Sequence, residues 1–291
     1  MARRNSDRSG MEPHVPEQAE APPAGAMAGN TGGGLNFVVP TEFVDLPSKG
    51  LWYPEGHPLK DEEVLEMRYM TAKEEDILTS PALLKKGLAV DRVLQNLIVD
   101  DRIKIADILL GDKAAMILSA RIAAYGADYM ATVTCPACGS KVEHYFDLNL
   151  HEAYHPSEEK LEEWSISKTD NGTFKVKLPR SEVELELRLM TSRDEHHFIQ
   201  TAQKRKKHKL PETPTTDILK RVIVSANGST DTLALGKFVE NMPAYDSRFL
   251  RNALKVLTPS VDNEQEFLCN NCGYDQDMEV PFGTEFFWPR Q

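Results

Sequence analysis

Val64-Leu65-Glu66-Met67-Arg68-Tyr69-Met70-Thr71-Ala72-Lys73-Glu74-Glu75 returns, altered but legible, as Glu184-Leu185-Glu186-Leu187-Arg188-Leu189-Met190-Thr191-Ser192-Arg193-Asp194-Glu195. Each copy alternates apolar and polar side chains, as a half-buried strand does, and then switches to a helix opening. Thr71 is placed to cap the N–H of Glu74, and Thr191 that of Asp194. The acidic residue three places on supplies the other arm of a capping box. Working outward, helical spacing follows in both stretches: Val90, Val93, Leu94, Leu97 and Ile98 in the first, Ile218, Leu219, Val222 and Ile223 in the second. A second helix is expected near Asp112–Tyr125 and near Asp246–Leu257. Each stretch then closes with a strand, a cysteine pair and another strand: Tyr129–Thr134 with Lys141–Phe146, and Gln265–Leu268 with Gln276–Val280. The reading is an α+β fold of two diverged strand-helix-helix-hairpin repeats.

The four cysteines of the chain form those two pairs, Cys135-Pro136-Ala137-Cys138-Gly139 and Cys269-Asn270-Asn271-Cys272-Gly273. Two intervening residues let a tight turn aim both sulfurs at one ion. A Gly after the second cysteine tolerates the left-handed backbone that such a turn needs. Four thiolates in a tetrahedron make the closed site typical of structural zinc. The pairs lie too far apart for a compact zinc ribbon, but a duplicated chain explains the gap, with each repeat contributing one knuckle to a shared, ribbon-like site. Cys135, Cys138, Cys269 and Cys272 are therefore the expected zinc ligands, and the ion pins the repeats together. Closing so long a loop constrains the unfolded chain, so such a clamp adds stability. A site closed by four thiolates offers no open position for catalysis.

Composition sets the outer limits. The chain has 291 residues, 41% of them hydrophobic, and a formal net charge of −11. That is enough apolar material for a sizeable core, and the acidic balance argues against a surface built for nucleic acid or anionic membrane. No run approaches the roughly 18 apolar residues of a membrane span, and the charged start Met1-Ala2-Arg3-Arg4 is followed by no apolar signal region. Residues 1–34 are rich in Ala, Pro, Gly and charge, and read as a disordered arm, either a docking segment or a plain tail. The expected division is 1–34 arm, 35–160 first repeat with the first knuckle, and 161–291 second repeat with the second.

Three other features compete for a function. His151-Glu152-Ala153-Tyr154-His155 matches H-E-x-x-H, the zinc-peptidase signature, which needs both histidines on one helical face. Pro156 directly after His155 works against that geometry. Lys204-Arg205-Lys206-Lys207-His208-Lys209 reads as a solvated helix end, favoured by the helix dipole; a nucleic-acid-binding zinc-ribbon factor is the alternative it keeps open. Leu51-Trp52-Tyr53-Pro54 and Phe286-Phe287-Trp288-Pro289 are either anchors for a protein partner or plugs in the core.

The run Val44-Asp45-Leu46-Pro47-Ser48-Lys49-Gly50-Leu51-Trp52-Tyr53-Pro54, followed by Met67-Arg68-Tyr69-Met70-Thr71-Ala72-Lys73-Glu74-Glu75-Asp76-Ile77-Leu78, resembles the T-even (T-four-like) bacteriophage baseplate hub protein family. The similarity continues through Leu83-Leu84-Lys85-Lys86-Gly87, Gly111-Asp112-Lys113 and Arg121-Ile122 to the first cysteine pair, and more loosely into the second repeat. The resemblance implies a structural or assembly component of a contractile-tail baseplate hub, with no catalytic residues. It implies other hub and tail proteins as partners, and residence in the virion tail after assembly in the host cytoplasm. The acidic, internally duplicated, metal-clamped chain read from the residues fits the same class.

Overall fold

The alternating run at Val64 forms its strand by pairing backwards. In the computed structural model, which describes residues 38–282 and 284–287, strand β1 (Thr41–Asp45) lies antiparallel to β2 (Val64–Arg68), with Val44 opposite Leu65. The expected arm, 1–34, and the aromatic residue Trp288 lie outside the described residues. Val44, Leu65 and Met67 point into the core. At Thr71 the chain turns into helix α1 (Ala72–Leu78), and Glu74 closes a capping box by accepting from the Thr71 N–H at 3.1 Å and its hydroxyl at 2.6 Å. Pro81 then opens α2 (Pro81–Lys86), which Gly87 ends at φ 69°. Helix α3 (Ala89–Leu97) follows on the expected apolar stripe, burying Val93, Leu94 and Leu97. Helix α4 (Leu110–Tyr125) leads into the hairpin β3 (Asp128–Thr134) and β4 (Lys141–Asp147).

The chain next makes a short strand, β5 (Glu152–Tyr154), and helix α5 (Glu158–Glu163). An antiparallel sheet is then built from β6 (Ser167–Lys168), β7 (Phe174–Lys177) and β8 (Glu184–Leu187). Thr191 and Asp194 cap α6 (Ser192–Lys207), and α7 (Pro214–Val222) follows. Strand β9 (Ile223–Ala226) adds to the free edge of β8. Helices α8 (Thr232–Glu240) and α9 (Ala244–Leu257) precede β10 (Ser260–Asp262), which pairs with β5. The hairpin β11 (Glu264–Leu268) and β12 (Asp275–Glu279) completes the order. The mixed α+β class is as the alternating and helical patterns indicated.

The strand-to-helix corners are held from behind in matching ways. After Val44-Asp45-Leu46-Pro47, the N–H of Leu46 donates to Glu63 O at 2.8 Å; after Val176-Lys177-Leu178-Pro179, the N–H of Leu178 donates to Val183 O at 2.9 Å. Each Leu-Pro turn then meets the third residue of a helix, a fully buried aspartate. Asp112 of α4 accepts from the Ser48 N–H (2.8 Å), the Ser48 hydroxyl (2.6 Å) and the Tyr53 hydroxyl (2.7 Å). Asp246 of α9 accepts from the N–H groups of Arg180 and Ser181, both at 2.9 Å.

The two stretches also interlock directly. The Leu110 N–H donates to Met190 O (3.1 Å) and the Ser192 N–H to Ile108 O (2.9 Å). Gly111, in the first turn of α4, sits so close to Pro259 that a Cβ there would lie 1.9 Å from the Pro259 carbonyl oxygen. Buried Lys113 of α4 bridges Asp91 of α3 and Glu195 of α6. Trp52 packs on Phe174, centroids 5.0 Å apart, and Tyr53 is buried against Asp112, so these aromatics are plugs in the core; Leu51 and Pro54, on either side of them, are exposed. Phe286 and Phe287 are buried as well. Arg121 of α4, fully buried, donates to the carbonyls of Phe286 and Gly126 (2.6 Å each) and Asp128 (3.1 Å), and ties the late segment to the first hairpin.

Asp112→Ala strands three donors, two of them on a buried serine, and is expected to cost about 3 kcal/mol; Asp246→Ala strands two, and about 2 kcal/mol is expected, both read by denaturant unfolding. Asp194 supplies an acid-side test. Burial alone would raise its pKa, but hydrogen bonds from Arg188, the Thr191 N–H and Arg221 outweigh it and hold the carboxyl at about 2. A depressed carboxylate contributes stability that is present above its ordinary value of 3.8 and is lost as pH falls through the folded value. Between pH of about 4 and about 2, Asp194→Asn should therefore lose less stability than the wild type.

Candidate metal centre

Each cysteine pair sits at the tip of a hairpin, and the two tips are built alike. In the first, the Cys135 N–H donates to Ser140 O and the Gly139 N–H to Cys135 O, both at 2.9 Å. In the second, the Cys269 N–H donates to Tyr274 O at 2.8 Å and the Gly273 N–H to Cys269 O at 2.9 Å. Gly139 and Gly273 stand at φ 70° and 72°, with open space where a Cβ would be. Backbone hand, not crowding, is what selects glycine at both positions.

The tips face each other. Cys135 Sγ lies 3.8 Å from Cys272 Sγ, and Cys138 Sγ lies 3.9 Å from Cys269 Sγ. All four sulfurs fall within 4.8 Å of one another. Cys135 and Cys269 are buried, Cys138 and Cys272 exposed, and none is in a disulfide. The sulfurs are too far apart for S–S bonds of about 2.05 Å and close enough to hold one metal ion between them.

The surroundings favour charged sulfur on one side of the cluster. The Ser140 hydroxyl and N–H, with the Asn271 side chain, pull the Cys138 thiol down to about 6. The Asn271 N–H lowers Cys269. At Cys272 the Tyr274 N–H also acts downward, but desolvation and the three neighbouring sulfurs outweigh it and push the thiol up to about 12. Four negative sulfurs in this space need a cation among them. Asn271, which also donates to Ser140 Oγ at 2.8 Å, links the two tips. Sequence reading passed over it, and its position inside the second knuckle was the available signal.

Protein contacts align the hairpins below the tips. Gln265 accepts from the Asp147 N–H (3.1 Å) and donates to Asp147 O (2.8 Å), while His144 Nε2 lies 3.1 Å from Glu266 O. The His144 ring packs edge-on against Phe146 and Phe267, both fully buried.

A family model described as T4 bacteriophage base plate protein matches residues 41–288, which takes in both hairpins and all four cysteines. The chain belongs to this family. No curated protein and no solved structure matches it. Membership makes the base plate protein a component of the phage virion tail, in contact with other tail proteins, and favours a structural over an enzymatic role. No described helix is long and apolar enough to cross a membrane.

Within the base plate protein, the H-E-x-x-H match at His151–His155 does not form a peptidase site. Glu152–Tyr154 is strand β5, paired with β10, so the two histidines do not share a helical face. His151 Nδ1 instead contacts Leu148 O at 2.7 Å, and the Tyr154 hydroxyl donates to Val256 O at 3.0 Å. Among the described residues, the metal-ligating groups that converge are the four cysteines. The basic run is the end of α6, as its composition indicated. Arg205 turns inward to Asp217, and Lys204, Lys206, Lys207 and Lys209 are exposed.

A strong chelator is expected to lower the melting temperature of the wild-type protein at neutral pH. Cys135→Ser is expected to lower it similarly and to leave little further chelator effect, since both remove the same ligation. Thermal melts with and without chelator, alongside metal analysis of the purified chain, read both outcomes.

Proposed function

We propose that this chain is a structural or assembly component of the baseplate hub, built from two diverged repeats that divide near residue 160 and share one zinc ion. In this reading Cys135, Cys138, Cys269 and Cys272 are the zinc ligands, and the paired hairpins act as a ribbon-like clasp. The observation that carries it is the convergence of four sulfurs from hairpins remote in sequence, in a chain of the base plate family. Sulfurs bound tetrahedrally at about 2.3 Å stand about 3.8 Å apart, and the two cross-tip separations are 3.8 and 3.9 Å. Zinc fits an all-sulfur tetrahedral set better than the oxygen-seeking cations do.

The repeat reading is supported by the paired capping boxes, the paired Leu-Pro turns answered by Asp112 and Asp246, and the matching tips. The ion in this reading has no catalytic duty, because four protein ligands fill its coordination. It stiffens a body whose task is to present fixed surfaces to neighbouring hub and tail proteins, first in the host cytoplasm and then in the particle.

Affinity capture with the wild-type chain, from a mixture of the same phage's tail proteins, should retain one or more hub proteins and one zinc per chain. Cys269→Ser should lose the zinc and most of the capture. Full capture by a zinc-free variant would remove the structural role assigned to the ion, and capture of no tail protein would remove the hub assignment.

A further inference from the structure

Between α6 and α7 runs a small apolar groove. Phe198 and Ala202 line it from α6, Pro214 and Ile218 from α7, and the Arg205–Asp217 ion pair closes one wall. Its volume of ≈ 230 Å³ falls below the range usual for small-molecule pockets and is of side-chain size. Glu212 also lines it, and the end of α6, just beyond Arg205, carries a run of exposed lysines. Lys204, Lys206, Lys207 and Lys209 make no ion pair among the described residues, and Leu210 beside them is 57% exposed. In a chain of net charge −11 this is a local reversal of sign. A surface that joins an unfilled apolar slot to unpaired cations fits an acidic protein face carrying an apolar anchor.

The same chain carries such a face elsewhere. The cleft below the cysteine tips, between the hairpins and the β5–β10 pair, presents Asp147, Glu152, Asp262, Glu264, Glu266 and Asp277. None of these carboxylates has a Lys or Arg partner among the described residues. From Val256 to Pro289 the sequence contains no Lys or Arg at all, so the cleft has no counter-charge from that stretch. Tyr145 and Leu150 stand at its edge, 50% and 63% exposed, and offer the apolar anchor that the groove lacks.

We propose that the α6–α7 groove is a docking site for a second copy of this chain, which enters with its acidic cleft. The groove takes Leu150 or Tyr145, and the lysines face the carboxylates. Different patches meet on the two partners, so the contact is head-to-tail: each copy keeps one face open for the next, and the association propagates into a ring or a short file. This inference does not depend on the metal reading.

Analytical ultracentrifugation of the full chain tests it. At about 50 mM salt the wild type is expected to show concentration-dependent species beyond the monomer, and to return to monomer at about 500 mM as the charges are screened. Reversing one face with Lys204→Glu, Lys206→Glu and Lys207→Glu should weaken association by roughly 100-fold or more, the loss when attraction becomes repulsion across several charge pairs. Reversing the other with Glu264→Lys, Glu266→Lys and Asp277→Lys should do the same. Each triple variant retains one working face, unmatched in its own kind. If the reversed faces attract each other too, equimolar mixing restores association; if not, the mixture stops at a one-to-one dimer through the two native faces. Either result supports the proposal, provided both variants melt as the wild type does. A wild type that stays monomeric at about 100 μM in low salt overturns it. So does association that survives in either triple variant alone, or a mixture that stays monomeric.

Discussion

Two hairpins made far apart along the chain must arrive side by side before their sulfurs can meet. Everything in the architecture serves that arrival. Each hairpin follows a long helix, the first directly and the second by way of β10, and each of those helices is fixed near its start by a buried aspartate that grips a Leu-Pro turn. The turns belong to the strand pairs from which α1 and α6 spring, so the register of a strand reaches the position of a hairpin through one carboxylate in each stretch. Below the tips, Gln265, His144 and the Phe146–Phe267 contact align the hairpins with ordinary protein interactions. A metal ion at the tips would lock an alignment already set by packing.

The interlock between the stretches is polar as well as apolar. Backbone groups at the start of α4 and α6 exchange hydrogen bonds, and Lys113 is shared by carboxylates from both sides. A buried charge is tolerated only where partners surround it, so these contacts specify one arrangement more sharply than an apolar seam could. The close approach of Gly111 to Pro259 adds a steric condition, because any side chain at that position would force the backbones apart.

Much of this was legible in the sequence because it is local. Alternation at Val64 and Glu184, the threonine caps and the two-residue cysteine spacing each describe a few neighbouring residues, and strand and helix bounds followed closely. What was not legible is what crosses space. Nothing near Glu152 announces that it will pair with Asp262, and the H-E-x-x-H match there dissolves for that reason. The Val-x-Leu-Pro echo was present at Val44 and Val176, but its meaning lies in Asp112 and Asp246, 64 and 66 positions beyond the N–H groups they grip. The single long α6 also differs from the α1–α2 break, where Pro81 and Gly87 interrupt a helix that the second stretch continues. Trp52 and Tyr53 were open to two readings, and only their burial decided between them.

Arg121 holds a further consequence. Among the described residues its buried guanidinium pairs with no carboxylate, and it is satisfied in part by the Phe286 carbonyl, 165 positions later. During synthesis that acceptor is added 165 positions after the arginine it serves. At about 5–20 residues per second the two are made roughly 8–33 s apart. The full set of acceptors for this buried cation is therefore complete only once a segment far along the chain has been made.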